Sequence, residues 1–169
     1  LESARGATPE EEPLPHERLS LPRGIDHVIA VDQGPLGRTA RGNPATYLGV
    51  WDAFRKALSN TPLAKERGYQ AGFFSFNVAG GRCEACSGEG FETIEMQFLA
   101  DVALTCPSCR GRRFKDEVLE VKLDGRSVAD VLAMTVDESL VAFAGEKAIV
   151  RALGPAKKLG LGYLALGQP

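Results

Sequence analysis

The four cysteines of this chain fall as two matched pairs, Cys83-Glu-Ala-Cys86 and Cys106-Pro-Ser-Cys109, with nineteen residues between the pairs. The pattern C-x2-C-x19-C-x2-C has the spacing of a four-thiolate zinc site. Zinc takes four soft or borderline ligands in a tetrahedron with Zn–S about 2.3 Å, and a two-residue gap lets one tight knuckle aim both sulfurs at one ion. Gly88 and Gly90 follow the first pair and Gly111 the second, where glycine relieves the backbone as it turns back under the metal. A chain closed at these four points must fold as two knuckles around a common centre.

Other uses of the cysteines fit less well. A disulfide framework needs an oxidising compartment, and Leu1-Glu-Ser-Ala-Arg-Gly6 carries no apolar export signal. A redox C-x-x-C normally stands alone on a strand-to-helix turn. A catalytic zinc keeps an open position and usually takes a histidine or carboxylate. The two histidines, His16 and His27, lie far from the cysteines and read as a loop residue and a strand-edge residue. The metal is expected to be structural, and no catalytic residue is assigned.

Length and composition place the rest. At 169 residues, 44% hydrophobic and 25% charged, the chain suits one ordinary soluble domain with a small module attached. No apolar run approaches the roughly 18 residues of a membrane span. Thiols without an export signal suggest the cytoplasm. The formal charge of −2 gives no global footprint for nucleic acid, so contact with DNA would need a local patch.

Residues 1–23, with four prolines and the run Glu10-Glu11-Glu12, read as a linker or loose insertion. Ile25–Val31 reads as a buried strand ending at Asp32-Gln33-Gly34-Pro35. Asn43-Pro44 caps a helix carrying Tyr47, Val50, Trp51, Phe54 and Leu58 at helical spacing, and Thr61-Pro62 opens a second, closed by Gly68. Between the cysteine pairs, Thr93–Phe98 alternates as a half-buried strand, with Val102–Leu104 returning beside it. Val118–Leu123 is a predicted strand ending in the turn Asp124-Gly125. Ser127 caps a helix with Val128, Val131 and Leu132, and Thr135-Val-Asp-Glu138 is a capping box. Glu146–Leu159 is helical in composition but broken by Gly154-Pro155. The apolar ending, Leu161–Pro169, has no closing cap and suggests a piece of a larger protein. The fold class is therefore α+β, a small mixed domain with amphipathic helices and a zinc-stabilised β-hairpin module.

Two constellations carry competing readings. Arg82 precedes the first knuckle, and Arg110, Arg112, Arg113 and Lys115 follow the second. If a metal joins the knuckles, Arg82 and Arg110 come together as a guanidinium cluster suited to phosphate. Against that, residues 79–115 hold five acidic residues beside these five basic ones, as a solvated mixed surface would. Phe73, Phe74 and Phe76 could stack on bases, though such a run beside a small module more often belongs to a core. The strand ending at Asp32 could pass for a Walker B strand, but no phosphate loop of the G-x-x-x-x-G-K-[ST] type occurs in the chain.

Longer stretches carry a family pattern. Val31-Asp-Gln-Gly-Pro-Leu-Gly-Arg-Thr-Ala-Arg-Gly-Asn-Pro-Ala-Thr-Tyr47 and Phe74-Ser-Phe-Asn-Val-Ala-Gly-Gly-Arg-Cys-Glu-Ala-Cys86 resemble the second half of the UvrA family, the damage-recognition ATPase subunit of the bacterial excinuclease. Glu95–Leu99, Leu119–Lys122, Asp130–Val136 and Gly160–Pro169 match as well. The resemblance implies an insertion carrying the zinc site within an ABC-type ATPase half. It implies Gln33 at the Q-loop, sensing ATP and Mg²⁺, and Pro169 just before the signature segment. It divides the chain into a linker (1–23), strand and Q-loop (24–45), helices (46–72), a four-cysteine module (73–115) and a strand with helices leading to the signature (116–169). Loops near Phe76–Arg82 and Arg110–Arg113 match the part of the family's zinc module linked to telling damaged from intact DNA. The implied partners are damaged double-stranded DNA, a second copy of the ATPase and a UvrB-type repair helicase, with no membrane. Lacking Walker A, signature and Walker B, the chain is not expected to hydrolyse ATP alone. Gly34 and Ala79 depart from the usual serine and basic residue, which suits a resistance-type paralogue as well as the repair enzyme. The Cys-x-x-Cys-x-Gly-x-Gly pattern also resembles the cysteine-rich repeats of DnaJ-type chaperones, which bind unfolded peptides, but those carry four repeats and this chain has two.

Overall fold

The computed structural model describes residues 15, 17, 18, 41–94, 96 and 102–168. The linker reading of 1–23, the strand at Ile25–Val31, Gln33 and Pro169 thus lie outside the described residues, apart from 15, 17 and 18.

Residues 36–169 form one compact unit, whose described part is helical around a single apolar core, with one two-stranded sheet. Asn43 caps α1 (Pro44–Tyr47) reciprocally: its side chain accepts from the Thr46 amide at 3.1 Å, and the Thr46 hydroxyl accepts from the Asn43 amide at 3.2 Å. The long helix expected from Asn43 is interrupted. Gly49 takes a left-handed φ of 67°, which glycine adopts at no steric cost, and α2 (Trp51–Ser59) starts afresh. Its buried stripe, Trp51, Phe54 and Leu58, faces the core. Proline at the first position opens α3 (Pro62–Glu66).

A 3-10 turn, Ala71–Phe74, then drives Phe74 and Phe76 inward, both fully buried. Phe76 lies 5.4 Å from Trp51 and 6.5 Å from Phe114 between ring centroids. Phe74 and Phe76 are thus core, and neither is offered for stacking on bases.

A hairpin forms between the cysteine pairs, but its first strand begins two residues before the expected Thr93, and residues 95, 97 and 98 of the expected strand lie outside the described residues. β1 (Phe91–Ile94) pairs antiparallel with β2 (Val102–Thr105), Phe91 opposite Thr105 and Ile94 opposite Val102. It is not half-buried, however: β2 is exposed throughout, and Ile94, Val102 and Leu104 share one solvent-facing side at 40–50% exposure. Alternation marks two faces of a strand but does not say that anything covers either one.

The predicted strand at Val118–Leu123 is instead a turn of helix, α4 (Asp116–Leu119). Asp116 and Glu117 favour a helix N-terminus, and Val118 within the helix and Val121 just past its end are both fully buried. Leu123 and Arg126 close the predicted turn with reciprocal backbone bonds of 2.8 and 3.0 Å, around Asp124 and Gly125 at φ 48° and 78°.

The Ser127 cap and the Thr135–Glu138 capping box stand as read, and Asp130 makes the first a capping box as well. Ser127 and Asp130 cap α5 (Val128–Ala133), and Thr135 and Glu138 cap α6 (Val136–Ala142). Gly154-Pro155 does not break the last helix: α7 (Lys147–Lys158) runs through it. Its buried residues Ile149, Leu153 and Ala156 lie on both sides of the proline, and their burial outweighs the lost backbone bond. Among the described residues, no helix is long and apolar enough to cross a membrane.

Candidate metal centre and its basic rim

Two loops bring the cysteines together with a near-twofold internal symmetry. The segment Cys83-Glu-Ala-Cys86-Ser-Gly-Glu-Gly-Phe91 recurs as Cys106-Pro-Ser-Cys109-Arg-Gly-Arg-Arg-Phe114. Left-handed backbone follows at matched offsets: Ser87 and Arg110 (φ 51° and 53°), Gly88 and Gly111 (87° and 79°), Gly90 and Arg113 (83° and 69°). In each knuckle the amide three residues on bonds back to the second cysteine's carbonyl, Glu89 to Cys86 at 2.9 Å and Arg112 to Cys109 at 3.0 Å. The halves also bond reciprocally. The Cys106 amide donates to the Gly90 carbonyl at 3.0 Å, and the Cys83 amide to the Arg113 carbonyl at 2.8 Å. The Gly90 amide points at the Cys86 sulfur at 3.2 Å.

The four sulfurs lie within 4.8 Å of one another, and all four cysteines are buried. The Cys86 and Cys109 sulfurs are 3.6 Å apart, close to the ~3.8 Å that a tetrahedron with Zn–S of about 2.3 Å sets between ligands. Burial pushes the Cys86 thiol up and the Cys109 thiol up to about 12. Amide donors, chiefly the backbone at Cys109, hold Cys106 down. Four buried sulfurs converging on one point are unfavourable as thiolates, and a divalent ion at their centre would remove that cost. The donor set therefore fits a metal ion, held by Cys83, Cys86, Cys106 and Cys109. They form a cluster of their own, separate from the main apolar core.

The basic residues do not form one cluster. Arg110 is exposed at the tip of the second knuckle, and no hydrogen bond or ion pair among the described residues holds its guanidinium. Arg112 bonds to Asp116 at 2.7 Å and to the Cys109 carbonyl at 3.2 Å. Lys115 pairs with Glu84 at 2.6 Å, and that pair lowers the Glu84 carboxyl and raises the Lys115 amine. Arg82 donates to the Asn77 carbonyl at 3.1 Å, and its backbone bridges to Phe114.

Arg113 is not on the surface. It is 8% exposed, its guanidinium lies 5.7 Å over the Phe76 ring, and its Nη2 donates to the Gly167 carbonyl at 3.2 Å. Its Nη1 is buried without a hydrogen-bond partner, and burial pulls its pKa below the ordinary arginine value. A direct phosphate contact is therefore closed to it. Arg110, Arg112 and Lys122 lie with Asp116, Glu120 and Asp130 around one open groove of about 900 Å³.

Sequence reasoning did not single out Arg41, which reaches the first knuckle. Its Nη2 donates to the Ser87 carbonyl at 3.3 Å, and its Nε lies 3.6 Å from a Glu89 carboxylate oxygen. Its pairing partners are 46 and 48 residues away, so no local signal marks it. Arg113's burial did leave a trace, because the internal repeat aligns it with Gly90.

No family model matches the chain. Curated relatives are numerous. The UvrABC system protein A of Thermus thermophilus is 53% identical over 157 residues, 93% of this chain and 16% of that protein. That of Clostridium perfringens is 54% identical over 145 residues, 86% of this chain and 15% of the relative. Among solved structures, UvrA2 from Deinococcus radiodurans superposes with a TM-score of 0.79 at 57% identity, covering 82% of this chain and 17% of that one. The chain thus spans about a sixth of the length of the curated relatives it matches. By sequence over 93% of its length and by fold over 82% of it, the chain belongs to the UvrA family.

Proposed function

We propose that this chain forms the zinc-bearing insertion of a damage-recognising ATPase of nucleotide excision repair. The observation that carries the proposal is the convergence of four buried sulfurs within 4.8 Å, in a fold that superposes on UvrA2 at 0.79. Zinc is the ion proposed, because an all-thiolate tetrahedron suits it and leaves no open position for chemistry. The ion holds the two knuckles at fixed separation and presents Arg110 at their tip. Contact with duplex DNA is assigned to Arg110 first. Arg112, Lys115 and Arg82 are secondary, since each must first exchange its present partner, and Arg113 supports the rim from within.

In this reading Gln33 serves the Q-loop toward ATP and Mg²⁺ of the larger ATPase, and Pro169 leads into its signature segment. The chain divides as the family pattern implies, with 24–45 and 116–169 as the connecting parts. A second copy, a UvrB-type helicase and damaged DNA are the partners, and the compartment is the cytoplasm. The resistance-type paralogue is the second reading, which Gly34 and Ala79 suit as well as they suit the repair enzyme.

Elemental analysis of the chain as purified should return one zinc per chain, and a folded chain that neither retains zinc nor takes it up on titration would remove the reading. In a UvrA-type protein carrying this segment, Arg110→Ala with Arg112→Ala should weaken duplex binding and lower the slope of log K against log salt by about 1 to 2. An unchanged slope would assign both residues to a solvated mixed surface.

A further inference from the structure

We infer that Arg41 and Arg113 are paired positioning residues, each tying one knuckle of the metal module to one of two adjoining backbone segments, so that metal occupancy sets the order of both segments. Arg41 runs from residues 41–45 to the Ser87 carbonyl of the first knuckle. Arg113 runs from the second knuckle to the Gly167 carbonyl. The two segments are joined directly, the Ala45 amide donating to the Leu166 carbonyl at 2.9 Å. Glu89 is common to both ties: it faces Arg41 Nε at 3.6 Å and acts electrostatically on Arg113.

The two anchorages differ in strength. Residues 166–167 are pinned from below, the Leu166 amide to Met134 at 2.8 Å and the Gly167 amide to Leu132 at 2.7 Å. From the other side they are held by Arg113. The Arg113 backbone is left-handed at φ 69° where its symmetry mate is glycine. Such a conformation in a non-glycine residue persists only where the surroundings over-determine it. Here they do so through a buried guanidinium between the Phe76 ring and the Gly167 carbonyl. Ser87 and Arg113 hold their positions only while the knuckles are closed, and the metal closes them.

The consequence rests on the function proposed above. The two tied segments lead in sequence toward Gln33, assigned above to the Q-loop, on one side, and toward Pro169, assigned to precede the signature segment, on the other. Nucleotide-driven movement of either segment would pull on a knuckle, and DNA pushing on a knuckle would pull on a segment, since coupling between sites is reciprocal.

The test is amide hydrogen exchange on the metal-loaded chain, reading Ala45, Leu166 and Gly167 against amides inside α6 and α7. Arg113→Met should speed exchange at Leu166 and Gly167, and Arg41→Met at Ala45, each by about tenfold, as loss of a charge-assisted hydrogen bond predicts. Metal content and the reference amides should stay unchanged. Removing the metal from the unaltered chain should reproduce both effects, and removing it from the double variant should add nothing at these three amides. Wild-type rates in metal-loaded variants, or no response to metal removal, would overturn the inference. If Arg113→Met fails to hold metal, Arg41→Met decides alone by the same readout, because the Arg41 side chain is one-third exposed. The exchange arm needs no nucleotide, so a failed ATPase assignment leaves its result standing, while failed exchange leaves that assignment untouched.

Discussion

Alanine at Gly88 and at Gly111 should have unequal costs, although the two glycines occupy matched positions in the knuckles. Their φ values, 87° and 79°, are nearly the same, so each Ala carries a left-handed backbone penalty of about 1–2 kcal/mol. Their surroundings differ. At Gly111 the nearest atom to a new Cβ is a Thr105 methyl at 3.6 Å, ordinary contact. At Gly88 the Cβ would lie 3.0 Å from the Phe76 carbonyl carbon and closer still to its oxygen. Those are backbone atoms that cannot rotate away. Phe76 is fully buried against Trp51 and Phe114, so any retreat disturbs the main core. Such overpacking typically adds about 1–3 kcal/mol. The expected losses are therefore about 1–2 kcal/mol for Gly111→Ala and about 2–5 kcal/mol for Gly88→Ala. Urea unfolding at one fixed, saturating metal concentration reads both, with the single tryptophan, Trp51, as a reporter beside Phe76. Equal losses, or a larger loss at Gly111, would refute the claim that the first knuckle is seated on the Phe76 backbone.

Other outcomes follow from the same geometry. Cys109→Ser should abolish stoichiometric metal by elemental analysis yet leave most helical circular dichroism, because the cysteine cluster is separate from the core of Phe54, Phe143 and Leu153. Thr135→Ala should cost about 1 kcal/mol in the same unfolding assay through loss of the α6 cap. Acid should destabilise the chain through its two capping carboxylates. The Ser127 hydroxyl and then the Ser127 amide hold Asp130 below its usual value, and the Thr135 amide and hydroxyl do the same for Glu138. Their contribution is present above the unfolded carboxylate range near about pH 4 and is lost as pH falls through the lower folded values. Asp130→Asn with Glu138→Gln should therefore flatten the acid limb of stability against pH; an unchanged limb would count against the caps.

What the sequence made legible was whatever depends on a few neighbouring residues. Asn43-Pro44, Ser127–Asp130 and Thr135–Glu138 are caps written within four positions, and each forms as read. The cysteine pairs are equally local, since each knuckle closes with its own backbone bond, Glu89 to Cys86 and Arg112 to Cys109. What failed depends on distant partners. Val118–Leu123 has strand composition, but among the described residues no neighbouring strand is offered to it, and the acidic pair Asp116-Glu117 starts a helix instead. Gly154-Pro155 reads as a break until Ile149, Leu153 and Ala156 are seen to bury one continuous face. Ile94, Val102 and Leu104 alternate like a half-buried strand, yet all three are exposed, with no core beneath them among the described residues. Arg113 reads as a surface cation in a basic run and is a buried one, because Phe76 and Gly167, 37 and 54 residues away, close over it.

The bond from the Ala45 amide to the Leu166 carbonyl has a topological consequence. A unit whose inbound and outbound strands touch is a bud on a short stem. It can be grafted into a surface loop of another fold, or pruned from it, while the host need only bridge a gap the width of one hydrogen-bonded pair. Selection can then reshape the bud, lengthening its hairpin or recharging its rim, without redrawing the trunk that bears it.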